Sequence, residues 1–263
     1  MKPFLLLAIR AEDAAADNEY ASFQTLAGLE EGELRRIRLE QRPLGDVDLR
    51  DWSGILLGGG PFNYTDPEDR KSPVQRRVEA DLRELLDAVT GADFPFLGAC
   101  YGTGALGRHQ GAVLGRQFTE PVGSVTVTLT PAGQRDPLLA PMPATFEAFT
   151  GHKEAISRLP GHAVLLASSP GCPVQMFRVG ANVYATQFHA ELDVAGLCTR
   201  TDVYKYAGYF DPSEADEIKA QARRSSVTWP PVILSQFVQR YARSGPEPAP
   251  GPGRPPAQAV SSR

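Results

Sequence analysis

The chain has 263 residues, 42% hydrophobic, 22% charged and 8% aromatic, which is the composition of a globular protein with a sizeable core. Its 27 basic and 31 acidic side chains leave a net charge of −4, so there is no basic field to neutralise phosphates and nucleic acid is not an expected partner. The first apolar run, Phe4 to Ile9, is too short to cross a bilayer, and acidic Glu12 and Asp13 follow it in place of a small-residue cleavage site. No membrane association and a cytoplasmic location are therefore expected. Cys100, Cys172 and Cys198 are an odd, scattered set without metal-ligand spacing, so neither a disulfide framework nor a metal site is expected.

In chain order, Phe4–Ile9 reads as a buried strand. The stretch Asp17–Ala27 reads as a helix with Tyr20, Phe23 and Leu26 near one face, stopped by Gly28. Leu34–Leu39 and Gly54–Leu57 read as further strands. The clearest helix starts at Ser72, with Pro73 in the first position and Gln75 completing a capping box. Val74, Val78, Leu82, Leu85, Leu86 and Val89 give it one apolar stripe before Gly91 ends it. Pro95–Ala99 is a strand running into Cys100.

From Val122 to Leu129 the pattern changes to strict alternation, with Val125, Val127 and Leu129 on one side, which predicts a half-buried antiparallel strand. Ala163–Ala167, Val174–Arg178 and Val183–Phe188 continue the strands, the last delivering His189 at its carboxyl end. Helices over Ser213–Arg224 and Pro231–Arg243 close the domain, with Ile233, Phe237 and Tyr241 spaced four apart. The alternation of strands and helices predicts an α/β fold: a mainly parallel open sheet flanked by helices, with a small antiparallel subsheet. Residues 1–243 form the expected domain. The Pro/Gly-rich stretch 244–263, lacking apolar side chains to bury, is expected to be a disordered tail.

Three motifs leave predicted strands at their carboxyl ends, the edge where open α/β sheets place their sites. Gly98-Ala99-Cys100-Tyr101-Gly102 has the small neighbours that a sharp strand-to-helix turn requires around a nucleophile, and it places Cys100 at a helix amino end. Gln187-Phe188-His189-Ala190-Glu191 offers an imidazole base with a carboxylate two residues on to orient it. Leu56-Leu57-Gly58-Gly59-Gly60-Pro61 frees backbone N–H groups for an oxyanion, with the Tyr101 N–H as a second donor. Without a following Gly-Lys-Ser/Thr it is not a phosphate loop.

In this order the three motifs resemble those of the class I glutamine amidotransferases, most closely stand-alone members related to the glutaminase domain of GMP synthetase. The likeness runs from about Phe4 to Tyr241. It implies a flavodoxin-like sheet, Cys100 as nucleophile, His189 as acid and base, Glu191 as its orienter, and an oxyanion hole from Gly59 or Gly60 with Tyr101. It also implies hydrolysis of the glutamine γ-carboxamide through a cysteinyl thioester, with no cofactor, for a separate ammonia-accepting synthase. There are departures. Gly104 stands where the family commonly has a glutamine that holds the substrate's amino-acid end, and Ala190 replaces a usual proline. Gly151-His152 occupies the place of a substrate-contacting Ser-His pair, which makes Gly104, Gly151 and His152 the candidate substrate-binding positions. His109 and His162 carry no partner pattern.

Two further functions remain open on the same scaffold: a stand-alone hydrolase of γ-glutamyl amides or peptides, and a non-catalytic interaction module. An α/β-hydrolase with cysteine for serine shares the elbow but takes its acid from an earlier strand, whereas Glu191 follows His189 by two residues.

Overall fold

A computed structural model describes residues 1–242. The tail expected over 244–263 lies outside the described residues. One nine-stranded sheet carries the molecule. Its strands are β1 (Phe4–Ala8), β2 (Leu34–Arg38), β3 (Gly54–Leu57), β4 (Phe96–Ala99), β6 (Glu120–Leu129), β7 (Thr145–His152), β9 (Val164–Ser168), β10 (Met176–Val179) and β11 (Val183–Thr186), in the spatial order β2-β1-β3-β4-β11-β10-β9-β6-β7. The first five in that order are parallel, and the rest continue the same sheet antiparallel. A separate ribbon pairs β5 (Val113–Gly115) with β8 (Ala155–Arg158).

Both faces of the parallel half are covered. In β1, Phe4 and Leu6 join a core with Phe23, Leu56, Leu97, Ile233 and Phe237, whereas Leu5 and Leu7 join another with Ile55, Leu57, Val78, Leu82 and Leu86. The first core is closed by helices α1 (Asp13–Ala27) and α6 (Pro230–Tyr241), the second by α2 (Pro73–Gly91) and α3 (Tyr101–His109). This two-sided burial explains why these strands read as continuous apolar runs.

The stripe of α2 is buried as its spacing requires, and Ser72 Oγ accepts the Gln75 N–H at 3.0 Å. The reciprocal half of the capping box is not made. Gln75 Nε2 instead donates to Asn63 O at 3.0 Å and Glu79 Oε1 at 3.1 Å, because the loop before α2 folds over it. Helix α1 begins at Asp13 rather than Asp17, the alanines of 14–16 supplying a strong helix-forming turn, and Gly28 ends it in the left-handed region at φ 71°. Sequence reading missed β5, β7, β8 and the helix α4 (Val194–Val203), whereas α5 (Ala215–Arg224) falls within the predicted Ser213–Arg224. In β7 the alternation of Phe146, Ala148, Thr150 and His152 is interrupted by Phe149, which is also fully buried. For α4 the signal was present in Asp193, whose carboxylate accepts the Gly196 N–H at 2.7 Å. Among the described residues no helix is long and apolar enough to cross a membrane.

Candidate active site

The three motif-bearing strands are neighbours. β4 lies between β3 and β11, with Leu57 opposite Gly98 and Ala99 opposite Thr186, so all three loops emerge side by side at one sheet edge. Cys100 turns the chain from β4 into α3 with φ 52° and ψ −93°, a conformation unfavourable for any side-chain-bearing residue. Its N–H donates to Thr186 O at 2.8 Å, which ties the strained turn to β11. A Cβ on Gly98 would lie 2.9 Å from the backbone of Gly102, so the glycine two residues before Cys100 is sterically required.

His189 is held by its own backbone, whose N–H donates to Phe149 O at 3.0 Å. Its Nδ1–H donates to Glu191 Oε1 at 2.7 Å, which leaves Nε2 for the Cys100 side. Burial of the ring opposes its charge. The charge of Glu191 and the hydrogen bond and charge of Cys100 outweigh that and raise its pKa to about 9. For Glu191, fully buried, burial again works against ionisation, but the cations of His189 and Arg200 hold the carboxyl far below its usual range.

Gly59 sits over this pair. A Cβ there would meet His189 Cε1 at 2.7 Å, Arg10 Nη2 at 3.0 Å and Cys100 Cβ at 3.4 Å, so one point in space touches imidazole, guanidinium and the thiol-bearing carbon. A Cβ on Gly60 would collide with Ile9 Cγ1 at 2.3 Å. The N–H groups of Gly59, Gly60 and Tyr101 meet no acceptor among the described residues, which leaves them available to an oxyanion.

Two cavities share Cys100, Gly60, Gly151 and Tyr209. The smaller is lined by Asn63, Lys153, Glu154 and Gln187. The other is lined by His189 with Val122, Leu192, Leu197, Tyr204 and Phe210. The segment after α4 roofs both: Lys153 Nζ donates to Ala207 O at 2.9 Å and lies 4.1 Å from the centre of the Tyr209 ring.

Gly104 is in the first turns of α3 and faces neither the thiol nor the imidazole. A Cβ there would come within 2.8 Å of Glu154 Oε1 and 3.3 Å of Tyr64 Cδ2. Glu154 fills that space because its carboxylate accepts the N–H groups of Tyr64 at 3.0 Å and Thr65 at 2.8 Å. His152 ends β7 with both ring nitrogens engaged by protein, Nδ1 with Glu154 O and Nε2 with Glu120 Oε2, each at 2.9 Å. It therefore shapes the turn that presents the Gly151 backbone to the cavity.

Glu120, His152 and Cys172 bring potential metal-ligating atoms within 4.8 Å of one another. Their bonds are already taken. Glu120 also accepts from Gln175 Nε2 at 2.7 Å and Ser169 Oγ at 2.8 Å, and burial pushes the Cys172 thiol up to about 12, so it remains protonated and donates to Val174 O.

Sequence reading missed the charges around Cys100, His189 and Glu191: Arg10 just past β1, Glu19 on α1 and Arg200 on α4, all buried. The signal was an acid, Glu19, on the same helical face as Ala15, Ala16, Ser22 and Phe23.

The family description "Glutamine amidotransferase class-I" matches residues 18–195. The GMP synthase [glutamine-hydrolyzing] of Aeropyrum pernix is 34% identical over 140 residues, covering 53% of this chain and 24% of that protein. The glutamine amidotransferase-like protein YfeJ of Salmonella typhimurium is 29% identical over 143 residues, 54% of this chain and 58% of its own length. The chain thus spans 24% and 58% of these relatives' own lengths. A solved glutamine amidotransferase from Thermotoga maritima superimposes with TM-score 0.72 at 19% identity, covering 93% of this chain and all of that one. One from Methylobacillus flagellatus superimposes with TM-score 0.67 at 18% identity, covering 93% and 97%. These likenesses show a shared flavodoxin-like fold.

Proposed function

The chain belongs to the class-I glutamine amidotransferase family, a family of cysteine-dependent enzymes, and from that premise we propose that it hydrolyses the γ-carboxamide of glutamine with Cys100, His189 and Glu191. The observation that carries this reading is the junction at the sheet edge: a strained Cys100, an imidazole bonded at 2.7 Å to a buried carboxylate, and backbone N–H groups without acceptors beside them.

The chemistry follows from those groups. The Cys100 thiolate attacks the carboxamide carbon, and the oxygen's negative charge develops between the N–H of Gly59 or Gly60 and that of Tyr101. Losing one such donor costs on the order of 10²-fold or more in rate. His189 passes a proton to the departing amine, leaving a γ-glutamyl thioester, and then takes a proton from the water that hydrolyses it. Glu191 keeps the proton on Nδ1 and steadies the imidazolium. No step calls for a metal or organic cofactor. The ammonia would pass to a synthase on another polypeptide. We place this reaction in the cytoplasm, where a thiol nucleophile stays reduced.

A second reading is favoured by one observation. The cavity on the His189 side, where the leaving amine must sit to be protonated, is walled by Val122, Leu192, Leu197 and Phe210, and such a chamber suits an amine with an apolar substituent. This supports hydrolysis of γ-glutamyl amides without a partner.

The test is glutamate release from glutamine and from γ-glutamyl alkylamides, together with mass mapping after treatment with a glutamine-analogue electrophile. The expected result is a label on Cys100 and no turnover by a folded Cys100→Ala. Near-normal turnover by that variant removes the nucleophile assignment, and an unlabelled, folded and inactive wild type leaves a binding module.

A further inference from the structure

Behind the triad lies a chain of buried charges that catalysis by Cys100 and His189 does not itself require. Glu191 Oε1, the oxygen that accepts His189 Nδ1–H at 2.7 Å, also accepts Arg200 Nη1–H at 3.0 Å, and that nitrogen lies 3.2 Å from His189 Nδ1. Arg200 Nη2 is 3.7 Å from Glu19 Oε1, which accepts Arg10 Nε–H at 2.9 Å, and Arg10 Nη1 donates to Tyr204 OH at 3.3 Å. Arg10, Glu19, Glu191 and Arg200 are each no more than 6% exposed. Glu191 Oε2 and Glu19 Oε2 have no hydrogen-bond partner among the described residues.

We propose that Arg200 is a positioning residue of this active site, clamping Glu191 so that its carboxylate faces His189 Nδ1 and opposing the positive charge of the imidazole from the far side. The proposal rests on the triad reading above.

A fully buried carboxylate with one oxygen unpartnered has a strong tendency to take up a proton, and a protonated Glu191 would no longer orient the ring. The Arg200 guanidinium, donating to the same Oε1 that His189 uses, opposes that tendency together with the imidazolium. The same cation beside Nδ1 disfavours the imidazolium, so the ring holds its second proton less tightly than Glu191 alone would dictate. The charged groups facing His189 are Cys100 from the elbow, Glu191 from its own loop and Arg200 from α4, with Glu19 on α1 and Arg10 beyond β1 behind them. Glu19 lies between the two guanidiniums and lets both remain in a space that neither could occupy alone.

The experiment uses the full chain with Arg200→Gln, Arg200→Lys and Glu19→Gln. Two readouts are followed across the pH range: glutamate release, and the rate of Cys100 alkylation by iodoacetamide located by mass mapping. The second does not depend on the substrate, so an error in the substrate assignment and an error in this proposal give different results.

Arg200→Gln is expected to lower kcat by about 10- to 100-fold, as loss of an orienting partner does elsewhere. It should also move the imidazolium titration upward by half a pH unit or more, seen as the basic limb of glutamate release and as a step in the alkylation profile, because a cation has left the imidazole. Arg200→Lys should bring the limb back and recover most of the rate. Glu19→Gln removes a negative charge and should move the limb downward. A basic limb unmoved in Arg200→Gln, or a lysine variant no better than the glutamine one, overturns the proposal. If Arg200→Gln does not fold, the downward shift in Glu19→Gln decides, and its absence overturns the proposal equally.

Discussion

Gly59→Ala adds a single carbon at the most crowded point of the site. The new Cβ would stand 2.7 Å from His189 Cε1, 3.0 Å from Arg10 Nη2 and 3.4 Å from Cys100 Cβ, against a normal carbon–carbon separation of about 3.5–4.0 Å. The ring or the loop must therefore give way by about 1 Å. Neither is free to do so cheaply. The His189 N–H is bonded to Phe149 O at 3.0 Å and its ring to Glu191 at 2.7 Å, while the loop is anchored by Gly58 N–H on Leu7 O at 3.0 Å. A 1 Å displacement of a catalytic group costs on the order of 10²-fold in rate, and overpacking costs about 1–3 kcal/mol in stability. The assay is kcat for glutamate release, with urea denaturation to establish the folded fraction. Gly91→Ala is the control. It lies at the end of α2 with nothing within 4 Å of its Cβ position, so activity should be unchanged and stability should stay within about 1 kcal/mol of wild type. A folded Gly59→Ala whose kcat lies within threefold of wild type would refute the placement of His189 against Gly59.

The pH dependence of stability follows from His189. Its folded pKa of about 9 lies above the ordinary value of 6.5, so its proton stabilises the folded state fully below about 6.5, and that contribution is lost as pH rises through 9. Urea denaturation at pH 6, 7.5 and 9.5 should show this decline in the wild type and not in His189→Gln; parallel curves would count against it. Gly104→Gln, which installs the residue that related amidotransferases commonly carry, should weaken this protein and raise the KM for glutamine, because its Cβ would meet Glu154 Oε1 at 2.8 Å and Tyr64 Cδ2 at 3.3 Å. A lowered KM with unchanged melting temperature would show that the space is not committed to Glu154.

Much of the fold was legible because burial leaves a local trace. The α2 stripe and the alternation of Val125, Val127 and Leu129 follow from the period of one element against one face, and the apolar runs of β1, β3 and β4 from burial on both. The sheet-edge position of Cys100 and His189 was legible too, since each follows a segment that reads as a strand. What stayed hidden was of another kind. Nothing local marks Arg200 as the partner of Glu191 nine positions earlier, because the pairing depends on α4 folding back over the loop. Nor does the sequence around Gly104 show that Glu154, on a distant loop, occupies its surroundings.

The sequence alone determined most of the elements of the parallel half and placed Cys100, His189 and Glu191 as candidates, because capping, periodicity and the steric needs of a sharp strand-to-helix turn act over a few neighbouring residues. Only the tertiary structure decided which charges face one another: Arg10, Glu19 and Arg200 become one buried network when β1, α1 and α4 pack together. Electrostatic energies depend on separation in space and on exclusion of water, and neither quantity exists until the chain has folded.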